Sequence, residues 1–421
     1  MFNSVTVAVA LVQGIQLATA AYYDSFKSGV NPLNISIPSI PQTTSYDLAT
    51  ECTSYVPDPS LFNFTASEWP TVWQTATSNG INSSAEFTTL YNSIAWANAP
   101  NIPVRTLNTD GSMNTAGYDV VNDPNCWWTV SGCTVPKLAD VNKDIYQCPE
   151  PATWGLTYDD GPNCSHNAFY DFLQEKNLKA SMFYIGSNVM DWPYGAMRGV
   201  RDGHHIASHT WSHQYMTTLT NQELLAEFYY TQKAIHLATG VTPRYWRAPY
   251  GDVDDRVRWI ASQLNMTCVL WDYDTNDWAV GEGETLQQVQ TAYSNFIQMG
   301  TNGTMASSGN IVLTHEINNT TMQLAIDNLP NVLSNYKHVT NVATCQNITY
   351  PYFEQTISFP SFSQYLASNS SAGNASTATG GAAGSSPTTS ATSTTSGALS
   401  LTSQVNAGLM VLMAMVAIAV N

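Results

Sequence analysis

At 421 residues the chain exceeds the usual size of one domain, so a main body with added segments is expected. A formal charge of −17 with only 14 Lys and Arg argues against a nucleic-acid partner, because phosphates need a Lys/Arg-rich face to release their counterions. Hydrophobic residues make up 43% of the chain, ample for a packed core.

In chain order, Val5 to Ala18 is apolar and Ala18-Thr19-Ala20 follows as a small-x-small cleavage pattern. Residues 1–20 therefore read as a signal peptide. Asn-x-Ser/Thr acceptors recur from Asn34 to Asn374, a density that suits passage through the secretory pathway. From Ala21 to Gln147 Pro, Asn, Ser and Thr punctuate short aromatic pieces. Ser67–Ala76, with Trp69 and Trp73 four residues apart and Pro70 in the first turn, predicts a helix, and Ser84–Ala99 a second. Residues 21–147 are expected to form an N-terminal extension lying against the main body.

After Cys148 the pattern changes. Short β-rich runs at Thr153–Tyr158, Ala180–Ile185, His205–Ser208, Tyr245–Arg247, Cys268–Trp271 and Ile311–Thr314 alternate with helical stretches. Asn221–Thr239 gathers Leu224, Leu225, Phe228, Ile235 and Ala238 roughly on one face, and Gly240 stops it. Asp252–Asn265 behaves similarly, as does the stretch after Thr320, where Pro330 could break or kink the helix. Repeated β/α units imply α/β architecture with parallel strands, and six or more suggest a barrel, whose chemistry belongs at the C-terminal ends of the strands.

Five polar groups follow separate strands. Asp159-Asp160-Gly161-Pro162 puts two carboxylates at a strand end, although the same residues could be plain turn chemistry. His209-Thr210-Trp211-Ser212-His213 spaces two imidazoles to share one metal from a helical turn or a compact loop. No Glu follows the first His, which disfavours a zincin protease. Arg247-Ala248-Pro249-Tyr250-Gly251 offers a guanidinium that could hold a carboxylate ionised, or simply brace a turn. Asp272 to Trp278 is an acidic loop that could equally cap a helix. Leu313-Thr314-His315-Glu316 ends an apolar strand in a His that, alone, reads as a satisfied core residue. A serine esterase is disfavoured, because no Gly-x-Ser-x-Gly elbow is present.

The order Asp-Asp, His-x-x-x-His, Arg-x-Pro-Tyr, Asp-x-x-Asp-Trp and Leu-x-His resembles the polysaccharide deacetylases of carbohydrate esterase family 4, which share the NodB homology domain. With the secretion signal and the tail described below, the chain is similar to the fungal chitin deacetylases of that family. The resemblance covers roughly Cys148 to Ala343, within a domain expected over 148–350, and implies a distorted (β/α) barrel. It further implies Asp159 as catalytic base, with Asp160, His209 and His213 as ligands of a divalent metal, zinc or alternatively cobalt. Arg247 would pair with the base, the Tyr250 N–H would bind the oxyanion, and His315 tuned by Asp277 would be the acid. Trp278 and Leu313 would wall the acetyl pocket, and Tyr158 stands where the family often has Phe. The implied substrate is chitin or partly deacetylated chitin. Other acetylated polysaccharides, or a non-catalytic chitin-binding wall protein, are the alternatives.

From Ala367 to about Asn406 the chain is rich in Ser, Thr, Ala and Gly with no charged residue, and reads as a disordered, O-glycosylated stalk. Small residues at Ser396-Gly397-Ala398, a polar spacer and an apolar run from Leu409 to Val420 match a GPI-attachment signal, with residues 407–421 removed. The expected product is a secreted monomer, GPI-anchored at the plasma membrane or cell wall. Seven cysteines fit an oxidising compartment, and the odd count leaves one thiol free or intermolecular.

Overall fold

Parallel strands organise the computed structural model, which describes residues 65–375. The expected signal peptide, the first part of the extension, Cys52 and the GPI-type tail lie outside the described residues. Eight strands form the sheet: β1 (Thr153–Gly161), β2 (Ser181–Tyr184), β3 (His205–Ser208), β4 (Tyr245–Trp246), β5 (Thr267–Cys268), β6 (Tyr273–Asp274), β7 (Asn310–Leu313) and β8 (His338–Thr340). Their order is β5-β4-β3-β2-β1-β7-β6, and β8 pairs with the first residues of β1. Every ladder is parallel, as successive strand–helix units require. The two ends of the path, β5 and β6, are joined only by Val269–Asp272, so the sheet curls into a half-barrel and the expected barrel-like α/β fold stands.

Helix Asn221–Thr239 has the predicted bounds for identifiable reasons. Thr220 and Glu223 form a reciprocal capping box at its start, and Gly240 ends it in the left-handed region at φ 73°. Asp254 caps a helix that runs Asp255–Gln263, inside the predicted Asp252–Asn265. Pro330 neither breaks nor ends the helix Asn319–Asn335. Of the predicted strand Cys268–Trp271 only Cys268 lies in a strand, at the end of β5, and β6 begins beyond it at Tyr273. The carbonyls of Val269 and Leu270 accept from the Arg247 guanidinium instead of continuing a ladder.

The extension departs further from expectation. Ser67–Ala76 is not a helix: after a short 3-10 turn, Ala66–Glu68, Trp73 turns left-handed at φ 62°. The N–H groups of Trp73 and Ala76 donate to Ser187 Oγ and Glu227 Oε1, side chains of the body, instead of to helical carbonyls. The second predicted helix is confined to Ala85–Ser93, capped by Ser84, with a 3-10 turn at Trp96–Asn98. Farther on, Ile145 bridges to Val269 and exchanges main-chain hydrogen bonds with β5, covering an open sheet edge. The described part of the extension thus packs with the sheet in one unit that runs to Ser370.

Packing continues past residue 350. Tyr352 is fully buried and its hydroxyl accepts from the Ile206 N–H. Residues 367–375, expected to open the stalk, continue a helix that spans Phe362–Ala375. Cys126 pairs with Cys133 and Cys148 with Cys345, Cys164 is also disulfide-bonded, and among the described residues the free thiol is the buried Cys268.

Candidate active site

The five motifs meet beyond the C-terminal ends of the strands, where β/α barrels place their chemistry. Neighbouring strand residues normally face opposite ways. At the end of β1, however, Asp160 is left-handed at φ 70°, and both Asp159 and Asp160 line the same pocket.

The two histidines come from a compact loop after β3, not from a helix. Thr210 and His213 are left-handed at φ 66° and 55°, and the loop brings His209 Nε2 to 3.3 Å and His213 Nε2 to 3.2 Å from Asp160 Oδ1. His209 Nδ1 is 2.9 Å from the Arg247 carbonyl oxygen. The ring donates Nδ1–H there, which leaves the Nε2 lone pair for the cluster. Burial works to raise the Asp160 carboxyl, but the adjacent His213 and His209 imidazoles hold it well below the usual range. Asp160 Oδ1 is buried without a conventional hydrogen-bond partner, so the donor set of one carboxylate and two imidazoles fits a divalent transition metal. A second grouping, Asp123, Cys126 and Cys133, does not fit, because its two sulfurs are bonded to each other.

Asp159 is held by Arg247, both residues being buried. Arg247 Nη1 donates to Asp159 Oδ1 at 2.7 Å and to Thr157 Oγ1 at 3.1 Å, while its remaining donors take the Val269 and Leu270 carbonyls. Its guanidinium also lies 4.1 Å from the centre of the Phe183 ring. Burial lowers the guanidinium pKa, and Asp159 works against that fall.

His315, just after β7, is held from two sides by Asp277. Its Nδ1 is 2.6 Å from Asp277 Oδ1 and its N–H donates to Oδ2 at 2.9 Å. Burial disfavours the imidazolium, but the Asp277 charge and hydrogen bond outweigh it and push the pKa up to about 9. The ring is therefore a proton donor at neutral pH. Behind it Glu316 is fully buried, and burial raises its carboxyl well above the usual range. Tyr170 and His166 face its two oxygens.

These groups open onto a pocket of about 390 Å³. Trp278, Leu313 and Tyr250 line it, with Trp278 and Tyr250 half-exposed at the surface. Tyr215, Trp271, Asp274 and Ile317 also line it and were not among the predicted site residues. Asp274 was within reach of sequence reading, since it lies in the acidic loop already singled out. Tyr215 and Ile317 carry no local signal; each follows a motif histidine by two residues, and only the folded loops turn them inward.

Fold and site together define a class: a hydrolase with a divalent-metal cradle set between an anchored carboxylate and an anchored imidazole. Residues 146–269 match the family model described as polysaccharide deacetylase. The chain is 66% identical over 353 residues to a chitin deacetylase of Amylomyces rouxii, covering 83% of this chain and 84% of that protein. It is 45% identical over 342 residues to chitin deacetylase 2 of Cryptococcus neoformans var. grubii, covering 80% and 74%. A solved chitin deacetylase from Colletotrichum lindemuthianum matches 49% of this chain and 92% of its own at 25% identity, with a TM-score of 0.45. The chain belongs to the polysaccharide deacetylase family.

Proposed function

We propose that this protein hydrolyses the N-acetyl groups of chitin, releasing acetate and leaving chitosan. The observation that carries the proposal is the convergence, in one pocket, of the Asp160/His209/His213 cradle with Arg247-held Asp159 and Asp277-held His315. Its agreement with two relatives named chitin deacetylases, at 66% and 45% identity, supports chitin as the substrate.

Asp160, His209 and His213 would hold a divalent ion, zinc by donor type with cobalt as the alternative, which when bound would supply Lewis-acid polarisation of the acetamide carbonyl. The chain's own groups do the rest. Arg247 occupies Asp159 Oδ1, so Oδ2 is the atom that takes the proton of the attacking water. The Tyr250 N–H stabilises the negative oxygen of the tetrahedral stage. An amine leaves poorly unless protonated, and the His315 imidazolium supplies that proton while Asp277 keeps the ring charged and aimed. Trp278 and Leu313 enclose the acetyl methyl group.

We further propose its setting: a secreted monomer that acts at the cell surface or wall, tethered by a GPI anchor added near Ser396. The leader-like start, the many sequons and the tail support this.

The test is acetate release from chitin oligomers and from acetylated xylan, before and after chelation and zinc readdition. Release from chitin alone, lost with the chelator and restored by zinc, is the expected result. Release from xylan alone would move the substrate, and no release from either would leave a binding protein of the wall.

A further inference from the structure

Among the residues that shape the pocket, Tyr250, like Asp160 and His213, has a left-handed backbone. It is left-handed at φ 57° and is followed by Gly251, also left-handed at φ 66°. A bulky residue persists there only where its surroundings over-determine it. Those surroundings come from the N-terminal extension. We propose that the extension turn Trp127-Trp128-Thr129 is a positioning element for catalysis, setting the Tyr250 main chain that binds the oxyanion. This inference rests on the deacetylase reading above.

The turn acts through Asp252, which is fully buried. Asp252 Oδ1 accepts from the Trp127 indole N–H at 2.9 Å and from the Thr129 hydroxyl at 2.8 Å. Its Oδ2 accepts from the Thr217 N–H at 2.8 Å and the Thr217 hydroxyl at 2.7 Å. One carboxylate therefore ties together the extension, the Tyr250 loop and the turn Met216–Thr218, which directly follows Tyr215. The Tyr215 ring in turn stacks on Tyr250 with centres 4.0 Å apart. Beside this junction the Trp128 N–H donates to the Val253 carbonyl. The Trp128 ring fills the space over Gly251 so closely that a Cβ there would come within 2.1 Å of it.

The turn is itself held firmly. The Cys126–Cys133 disulfide closes it, and the buried Arg258 donates to the carbonyls of both cysteines at 2.6 and 2.9 Å. The Trp127 ring has the Arg105 guanidinium 3.7 Å from its centre and Tyr118 edge-on at 5.0 Å. None of Trp127, Trp128 and Thr129 lines the pocket; they reach it through the Tyr250 loop and through Trp271, whose ring centre lies 4.8 Å from that of Trp128.

The test uses the full chain with Trp127→Phe and Thr129→Val, singly and together, and with Thr129→Ser as the conservative rescue. Each substitution removes one donor to Asp252 Oδ1; Thr129→Val keeps the bulk, whereas Trp127→Phe also gives up part of the buried indole's volume. In the double variant kcat should fall by roughly tenfold to a hundredfold. KM for a chitin oligomer should stay within about twofold, as expected when only transition-state stabilisation is lost. Bound metal should be unchanged, and Thr129→Ser should restore turnover. A tetrahedral phosphonamidate analogue of the N-acetyl group should bind more weakly by the same factor as kcat/KM falls. Unchanged kcat in a double variant that melts earlier would make the turn a structural brace only and overturn the proposal. A fall in kcat with full analogue affinity would also overturn it, because the effect would not pass through the oxyanion site. Failure of the unaltered protein to release acetate would instead sink the deacetylase reading, before any variant is compared.

Discussion

The loops that follow the strands and the extension that wraps them are built in contrasting ways. Each catalytic group arrives with near neighbours in sequence: Asp159 with Asp160, His209 with His213, Asp277 with Trp278. The extension makes its contacts one residue at a time with partners more than a hundred positions away, as Trp127 does with Asp252 and Ala76 with Glu227. Chemistry is thus encoded in short motifs, whereas support for it is spread along the chain. Substitutions in the motifs should strike turnover, and those in the extension's anchors should strike stability first, except at Trp127 and Thr129, whose hold on Asp252 should reach turnover.

The sharpest break in that comparison is His209→Ala. It should lose bound metal, measured by elemental analysis, and lower acetate release by on the order of 10³-fold. Persisting turnover without metal would mean that the cradle is not the reaction centre. His315→Ala should come next, with full metal content and kcat down by about 10²-fold or more. The pH profile refines this prediction. With the His315 pKa raised to about 9, the acid is protonated below that value, so activity should persist to about pH 9 and fall as pH rises through it. Asp277→Asn removes the charge that holds the pKa up, so the alkaline limb should move toward neutrality; an unmoved limb would assign it to another group.

On the supporting side, Glu227→Gln should have the largest effect. Its carboxylate accepts from the Ala76, Trp211 and Ser212 N–H groups and the Ser212 hydroxyl, joining the extension to the loop between His209 and His213. An amide NH₂ facing those donors should cost about 2 kcal/mol in urea unfolding. Glu86→Gln is the mildest change. Glu86 meets Lys233 Nζ at 2.8 Å on a partly exposed face and accepts from the Tyr229 hydroxyl, so about 0.5–1 kcal/mol is expected. A Glu86→Gln cost equal to that of Glu227→Gln would erase the distinction between buried and peripheral anchors.

The same contrast explains what sequence reading could reach. β3 and the helix Asn221–Thr239 have the predicted bounds because a short strand and a capped, glycine-terminated helix are decided locally. The Asp160, His209 and His213 cluster was legible because two of its members share one loop at fixed spacing. Ser67–Ala76 misled because its apolar spacing suits a helix, while the hydrogen bonds that decide its shape lie on Ser187 and Glu227. Cys268–Trp271 misled because Arg247 claims the carbonyls a strand would have used. Pocket residues such as Tyr215 and Ile317 stayed hidden because lining a cavity depends on how loops fold over one another.

The Cys148–Cys345 bond bears on how quickly such a sheet can assemble. β1 must find β8, and Thr153 lies far along the chain from its partner His338. Contacts between distant positions are slow to form, because a long loop must close before anything is gained. Cys148 lies shortly before Thr153 and Cys345 shortly after His338, so once the sulfurs are joined the two strands are near neighbours along the covalent path. A search that spans the domain becomes a local one, and refolding with this bond intact should outpace refolding after its reduction.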